Sequence, residues 1–80
     1  MQRSDIETEF AGILEKTAGV HRANLGPDTR LQSDLGLDSL AMIDVAVAAE
    51  DAFGVSIPDD DLERFQTVGD VVNYVQHAKS

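Results

Sequence analysis

Leu35-Gly36-Leu37-Asp38-Ser39-Leu40-Ala41-Met42-Ile43-Asp44-Val45-Ala46-Val47-Ala48-Ala49-Glu50-Asp51-Ala52-Phe53-Gly54 decides the fold. Wound at about 100° per residue, it places Met42, Val45, Ala46, Ala49, Ala52 and Phe53 on one side as a core stripe. The segment predicts a helix that begins near Asp38 or Ser39, runs to Phe53 and stops at Gly54. The opposite side carries Leu40, Ile43 and Val47, interleaved with Asp44, Glu50 and Asp51. Three large aliphatics in line do not suit a solvated face. An apolar strip rimmed by carboxylates reads as a partner-binding face, with contact energy from the strip and steering from the rim.

Upstream, Ser4-Asp5-Ile6-Glu7 reads as a capping box. Ile6, Phe10, Ile13, Leu14 and Thr17 then recur at helical spacing, predicting a first helix to about Ala18, closed by Gly19. A long connection runs from Val20 to Leu37, with a turn at Gly26-Pro27-Asp28-Thr29 and leucines at 25, 31, 35 and 37 that should pin it across the core. Downstream, Val55-Ser56-Ile57-Pro58 is an extended link, and Asp59 to about Arg64 forms one short helical turn. Thr67-Val68-Gly69-Asp70 is another N-cap, opening a last helix with Val68, Val71, Val72 and Val75 inward and its end near His77. The expected fold is all-α: a small bundle of three main helices plus one short helix, with a long loop between the first and second helices. It fills a single domain, 1–80.

Composition narrows the function. With 80 residues and 42% apolar content, the chain has enough for one small core and too little for a deep catalytic cleft as well. No apolar run approaches the ~20 residues of a membrane span, and the start of the chain lacks the apolar core of a signal peptide, so a cytoplasmic protein is expected. The absence of cysteine excludes disulfides, thiolate metal sites and intrinsic thiol chemistry. A net charge of −9 speaks against nucleic acid and anionic membranes as partners. Between Leu31 and Glu63 there are 9 acids and no base, while the other residues balance to zero. Some of these carboxylates should face one another across the helix ends and offer weak sites for divalent cations.

Ser39 stands where the long loop meets the second helix. As a nucleophile it lacks support: there is no Gly-x-Ser-x-Gly elbow, and the chain has 2 histidines, His21 and His77, in polar or terminal surroundings. No histidine, cysteine or carboxylate spacing suggests a transition-metal site, and no catalytic residue is assigned. The bland alternative makes Ser39 an ordinary helix-start residue.

Asp38-Ser39-Leu40, preceded by Leu35-Gly36-Leu37 and followed by an acidic helix, resembles the signature of acyl carrier proteins. The resemblance extends through Phe53-Gly54-Val55-Ser56-Ile57-Pro58-Asp59-Asp60 and Thr67-Val68-Gly69-Asp70. It implies that the Ser39 hydroxyl, flanked by Asp38, is esterified by 4′-phosphopantetheine, transferred from coenzyme A by a phosphopantetheinyl transferase. It also implies that acyl groups travel as thioesters on the arm's thiol. Such a protein is a carrier rather than an enzyme, a monomer that visits ketosynthase, acyltransferase and other synthase enzymes with basic docking patches. Leu40, Ile43, Asp44, Val47, Glu50 and Asp51 would be its docking residues. Alanines 46, 49 and 52 either leave space for an acyl chain or simply allow close helix packing. The family pattern is broken at Ala41, where many bacterial members carry an acid. Discrete carriers of type II fatty acid synthesis and of aromatic polyketide synthases fit equally. An aminoacyl or peptidyl carrier of nonribosomal synthesis, or an unmodified acidic interaction module, is the alternative.

Overall fold

A computed structural model describes residues 2–79. Helix α1 spans Arg3–Ala18, α2 Ser39–Phe53, α3 Asp59–Arg64 and α4 Val68–Lys79, with one 3-10 turn at Arg22–Asn24 in the long loop. The described residues are helical apart from loops and one isolated antiparallel bridge between Arg30 and Thr67.

Helix α1 packs on both α2 and α4. Ile6, Phe10 and Leu14 meet Met42, Val45, Ala49 and Phe53 of α2 and the valine stripe of α4 in one continuous core. Leu31 and Leu37 are buried there too, so the loop is pinned as its leucines predict, with Leu25 and Leu35 half-buried against the same core. Ala11 is buried on α1 where Thr17 was expected; Thr17 lies exposed, its hydroxyl donating to the Ile13 carbonyl at 2.7 Å. Ala52 likewise is exposed instead of joining the α2 core stripe.

Two helix ends differ from the sequence reading. The Ser4–Glu7 capping box does not form. Gln2 is the N-cap and its carbonyl accepts from Asp5 and Ile6, which places Ser4 inside the helix. The earlier start brings Arg3 within reach of α4, where its guanidinium donates to the side chains of Asn73 and Gln76. Helix α4 also runs on to Lys79, past the expected end at His77.

The other boundaries agree with expectation. Gly54 ends α2 at φ 66°, a left-handed conformation that glycine adopts without Cβ strain, and its N–H donates to the Glu50 carbonyl. At the head of α4, Thr67 and Asp70 cap reciprocally: the Thr67 N–H donates to Asp70 Oδ2 at 3.1 Å, and the Asp70 N–H to Thr67 Oγ1 at 3.2 Å. The Tyr74 hydroxyl donates to the Ser56 carbonyl at 2.7 Å, and the Tyr74 ring meets Phe65 edge to face, so α4 holds the 55–58 link and the end of α3. Desolvation, and next the Asp61 carboxylate, hold the Tyr74 phenol above its usual pKa of 10.0.

Main-chain bonds tie the long loop to the start of α4. Leu31 N–H donates to Gln66, Val68 N–H to Thr29 and Gly69 N–H to Pro27, each at 2.9 Å. A Cβ on Gly69 would stand 2.8 Å from the Pro27 carbonyl oxygen, which that bond holds in place. Gly69→Ala is therefore expected to destabilise the protein by about 1–3 kcal/mol in urea unfolding. Gly26→Ala, whose Cβ would meet only Thr29 Oγ1 at 3.9 Å, should cost far less. Equal losses would contradict this account of the loop.

Candidate functional site

The Asp38 carboxylate fixes where α2 begins. Asp38 is extended, its Oδ1 accepts from Ala41 N–H at 2.8 Å, and its carbonyl accepts from Met42 N–H at 2.9 Å. Ser39 is thus the first helical residue and not the cap. Its side chain is exposed and its hydroxyl makes no hydrogen bond among the described residues. The N–H groups of Ser39 and Leu40 precede the first possible intrahelical acceptor and point out of the helix start. A hydroxyl with no structural duty, beside free donors and a favourable dipole end, suits a covalently attached phosphate group.

Ser39 borders a cleft of about 700 Å³ between α2, α3 and the long loop. Met42, Ile43, Leu62 and Phe65 supply apolar walls; Arg30, Gln32, Ser33, Asp59, Glu63 and Gln66 supply polar ones. Neither histidine lines it. The sequence reading missed the walls outside α2. Leu62 and Phe65, three apart beside an acidic turn, were the available signal. The space lies on the α3 side of α2, whereas Ala46 and Ala49 are buried in close helix packing.

The expected docking residues divide. Leu40, Ile43 and Val47 are 74%, 49% and 51% exposed, the large hydrophobic side chains most open to solvent among the described residues, and Asp44 lies exposed beside them. Glu50 also has a contact within the fold. It is half-buried, and its Oε2 accepts from Ile57 N–H at 2.7 Å, closing the turn after α2. Asp51 is exposed but borders a different groove, between α1 and α2, with Lys16 and Thr17.

Among the described residues no three carboxylates or histidines gather as a metal site. Several are taken up by backbone donors instead: Asp34 by Arg30 N–H at 2.8 Å, Asp38 by Ala41, Glu50 by Ile57, and Asp70 by Gln66 and Thr67. No helix among the described residues is long and apolar enough to cross a membrane.

Residues 8–75 match the model of a family described as the phosphopantetheine attachment site. The chain is 41% identical over 78 residues to an acyl carrier protein of Acidothermus cellulolyticus, covering 98% of this chain and 93% of that one. It is 50% identical over 67 residues to an acyl carrier protein of Thermobifida fusca, covering 84% and 85%. It is 42% identical over 74 residues to the meromycolate extension acyl carrier protein of Mycobacterium leprae, covering 92% of this chain and 64% of the relative.

The division among the acids has a measurable consequence. Glu50→Lys removes the acceptor of the Ile57 N–H and is expected to lower unfolding stability by about 1–2 kcal/mol, a charge-assisted bond discounted for partial exposure. Asp44→Lys touches no such bond and should stay within about 0.5 kcal/mol. Equal stabilities of the two variants in urea melts would show that the Glu50 contact contributes nothing.

Proposed function

The chain belongs to the acyl carrier protein family, whose members bear a covalently attached 4′-phosphopantetheine, and from that membership we propose that the arm is carried on the Ser39 hydroxyl. The observation that supports this most is the division of labour at the head of α2. Asp38 caps the helix, which leaves the Ser39 hydroxyl exposed and uncommitted. The arm supplies a terminal thiol, on which acyl groups ride as thioesters. Everything else falls to the chain, which is a carrier and not a catalyst. It presents Ser39, shelters part of the cargo from water, and offers a face to its partners.

That face is Leu40, Ile43 and Val47 with Asp44 at its edge, suited to basic, partly apolar patches on a phosphopantetheinyl transferase and on ketosynthases and acyltransferases. Glu50 and Asp51 act more remotely, through the field of the −9 chain. The apolar side of the cleft accepts the part of an acyl chain nearest the arm. Relatives named for meromycolate extension favour a type II acyl-extension pathway of the fatty acid kind. In the same proposal a single carrier domain acts as a monomer in the cytoplasm. An aromatic polyketide pathway is the second setting in which the same site would serve. The aminoacyl-carrier and unmodified-module alternatives find no support in the relatives or the family match.

Incubation with coenzyme A and a broad-specificity transferase, followed by intact-mass measurement, tests the assignment. Wild type should gain the arm. Ser39→Ala should gain nothing and still fold, since Asp38 retains a cap worth about 1 kcal/mol. A modified Ser39→Ala, or wild type that is never modified, overturns the proposal. Asp44→Lys should slow acyl transfer, and wild-type transfer should weaken as salt shortens the Debye length from about 10 Å at 0.1 M to about 3 Å at 1 M.

A further inference from the structure

Arg30 is the only basic residue lining the cleft beside Ser39, and the two other charged residues there, Asp59 and Glu63, are acids. Its backbone is held firmly. The N–H donates to Asp34 Oδ2 at 2.8 Å, the carbonyl accepts from Asp34 and Leu35 at 3.1 Å each, and the residue pairs with Thr67 in the isolated bridge. Its guanidinium is engaged by nothing among the described residues. A cation on an anchored stretch of backbone therefore stands unpaired in a cleft that otherwise carries negative charge.

We propose that Arg30 holds the phosphodiester of the prosthetic arm, an inference that rests on Ser39 being the attachment point. The phosphodiester is bonded directly to the serine oxygen, so it must sit at the rim of the cleft that Ser39 and Arg30 share. It brings one more negative charge to a chain of net −9, next to a stretch from Leu31 to Glu63 that has no base. Arg30 is the residue immediately before that stretch, and the pinned loop carries it to the lining of the cleft that Ser39 borders. A guanidinium presents paired donors that match phosphate oxygens, and it stays charged at every pH where the protein folds. With the arm bound, the helix start would offer N–H donors to the phosphate and Arg30 would offer a full positive charge.

The test is a cycle of apo and holo forms of wild type, Arg30→Gln and Arg30→Lys, each checked by intact mass. The apo forms should melt close together, because the guanidinium holds no partner in the fold. The holo-minus-apo difference in melting temperature should be more favourable in wild type than in Arg30→Gln by about 2 °C or more at low salt. Arg30→Lys should recover part of that difference, and about 1 M NaCl should erase it. The phosphorus NMR resonance of the holo protein should move on Arg30→Gln. Equal holo-minus-apo differences with an unmoved resonance overturn the proposal. So does an Arg30 dependence that arises only when the arm bears a carboxylate-containing acyl group, which would assign Arg30 to the cargo. Failure of wild type to gain the arm overturns the Ser39 reading together with this one; a gained arm without Arg30 coupling overturns this one alone.

Discussion

The hydrogen bond from Ala41 N–H to the Asp38 carboxylate, at 2.8 Å, is the contact on which the arrangement of the site depends. It sets the start of α2 at Ser39 and so decides which side chains of that helix face inward. It also leaves Leu37, one residue earlier, to turn into the core. Were Ser39 itself the cap, its hydroxyl would be committed to a backbone donor. An N-cap is worth about 1 kcal/mol, small beside the core, yet it separates a structural aspartate from a chemically available serine.

The same economy explains how a short chain tolerates its acidic middle. Asp34, Asp38 and Glu50, all within the base-free stretch, each accept a backbone N–H, and Asp70 accepts two beyond it. Each bond places partial positive charge against a carboxylate without any cation. These acids close turns and helix starts, while Asp44 stays exposed beside the apolar strip. Acidity therefore has two uses here. One is internal and structural, and the other lies on the exposed face of α2.

How much was legible follows the range of the interactions. The α2 boundaries, the Gly54 stop, α3 and the Thr67–Asp70 box rest on residues a few positions apart, and the sequence reading of them agrees with the structure. The Ser4–Glu7 box is also local, but the helix starts earlier, at Arg3, whose side chain donates to Asn73 and Gln76 on α4. Helical phase and the family resemblance put Glu50 on the docking rim, and neither gives its contact within the fold. Its bond to Ile57 depends on the path of the chain after Gly54, which periodicity does not encode. The cleft was least legible, because the long loop meets the segment between α3 and α4 through bonds such as Leu31 N–H to the Gln66 carbonyl.

The central claim is that the family's prosthetic arm attaches to the one serine freed by its neighbour's cap. The most direct measurement is peptide fragmentation of the wild-type protein isolated in its modified form, which locates the added group by residue. The account predicts the arm on Ser39, with Ser33, which lines the same cleft, and Ser56 unmodified. An arm located on any residue other than Ser39 would contradict it.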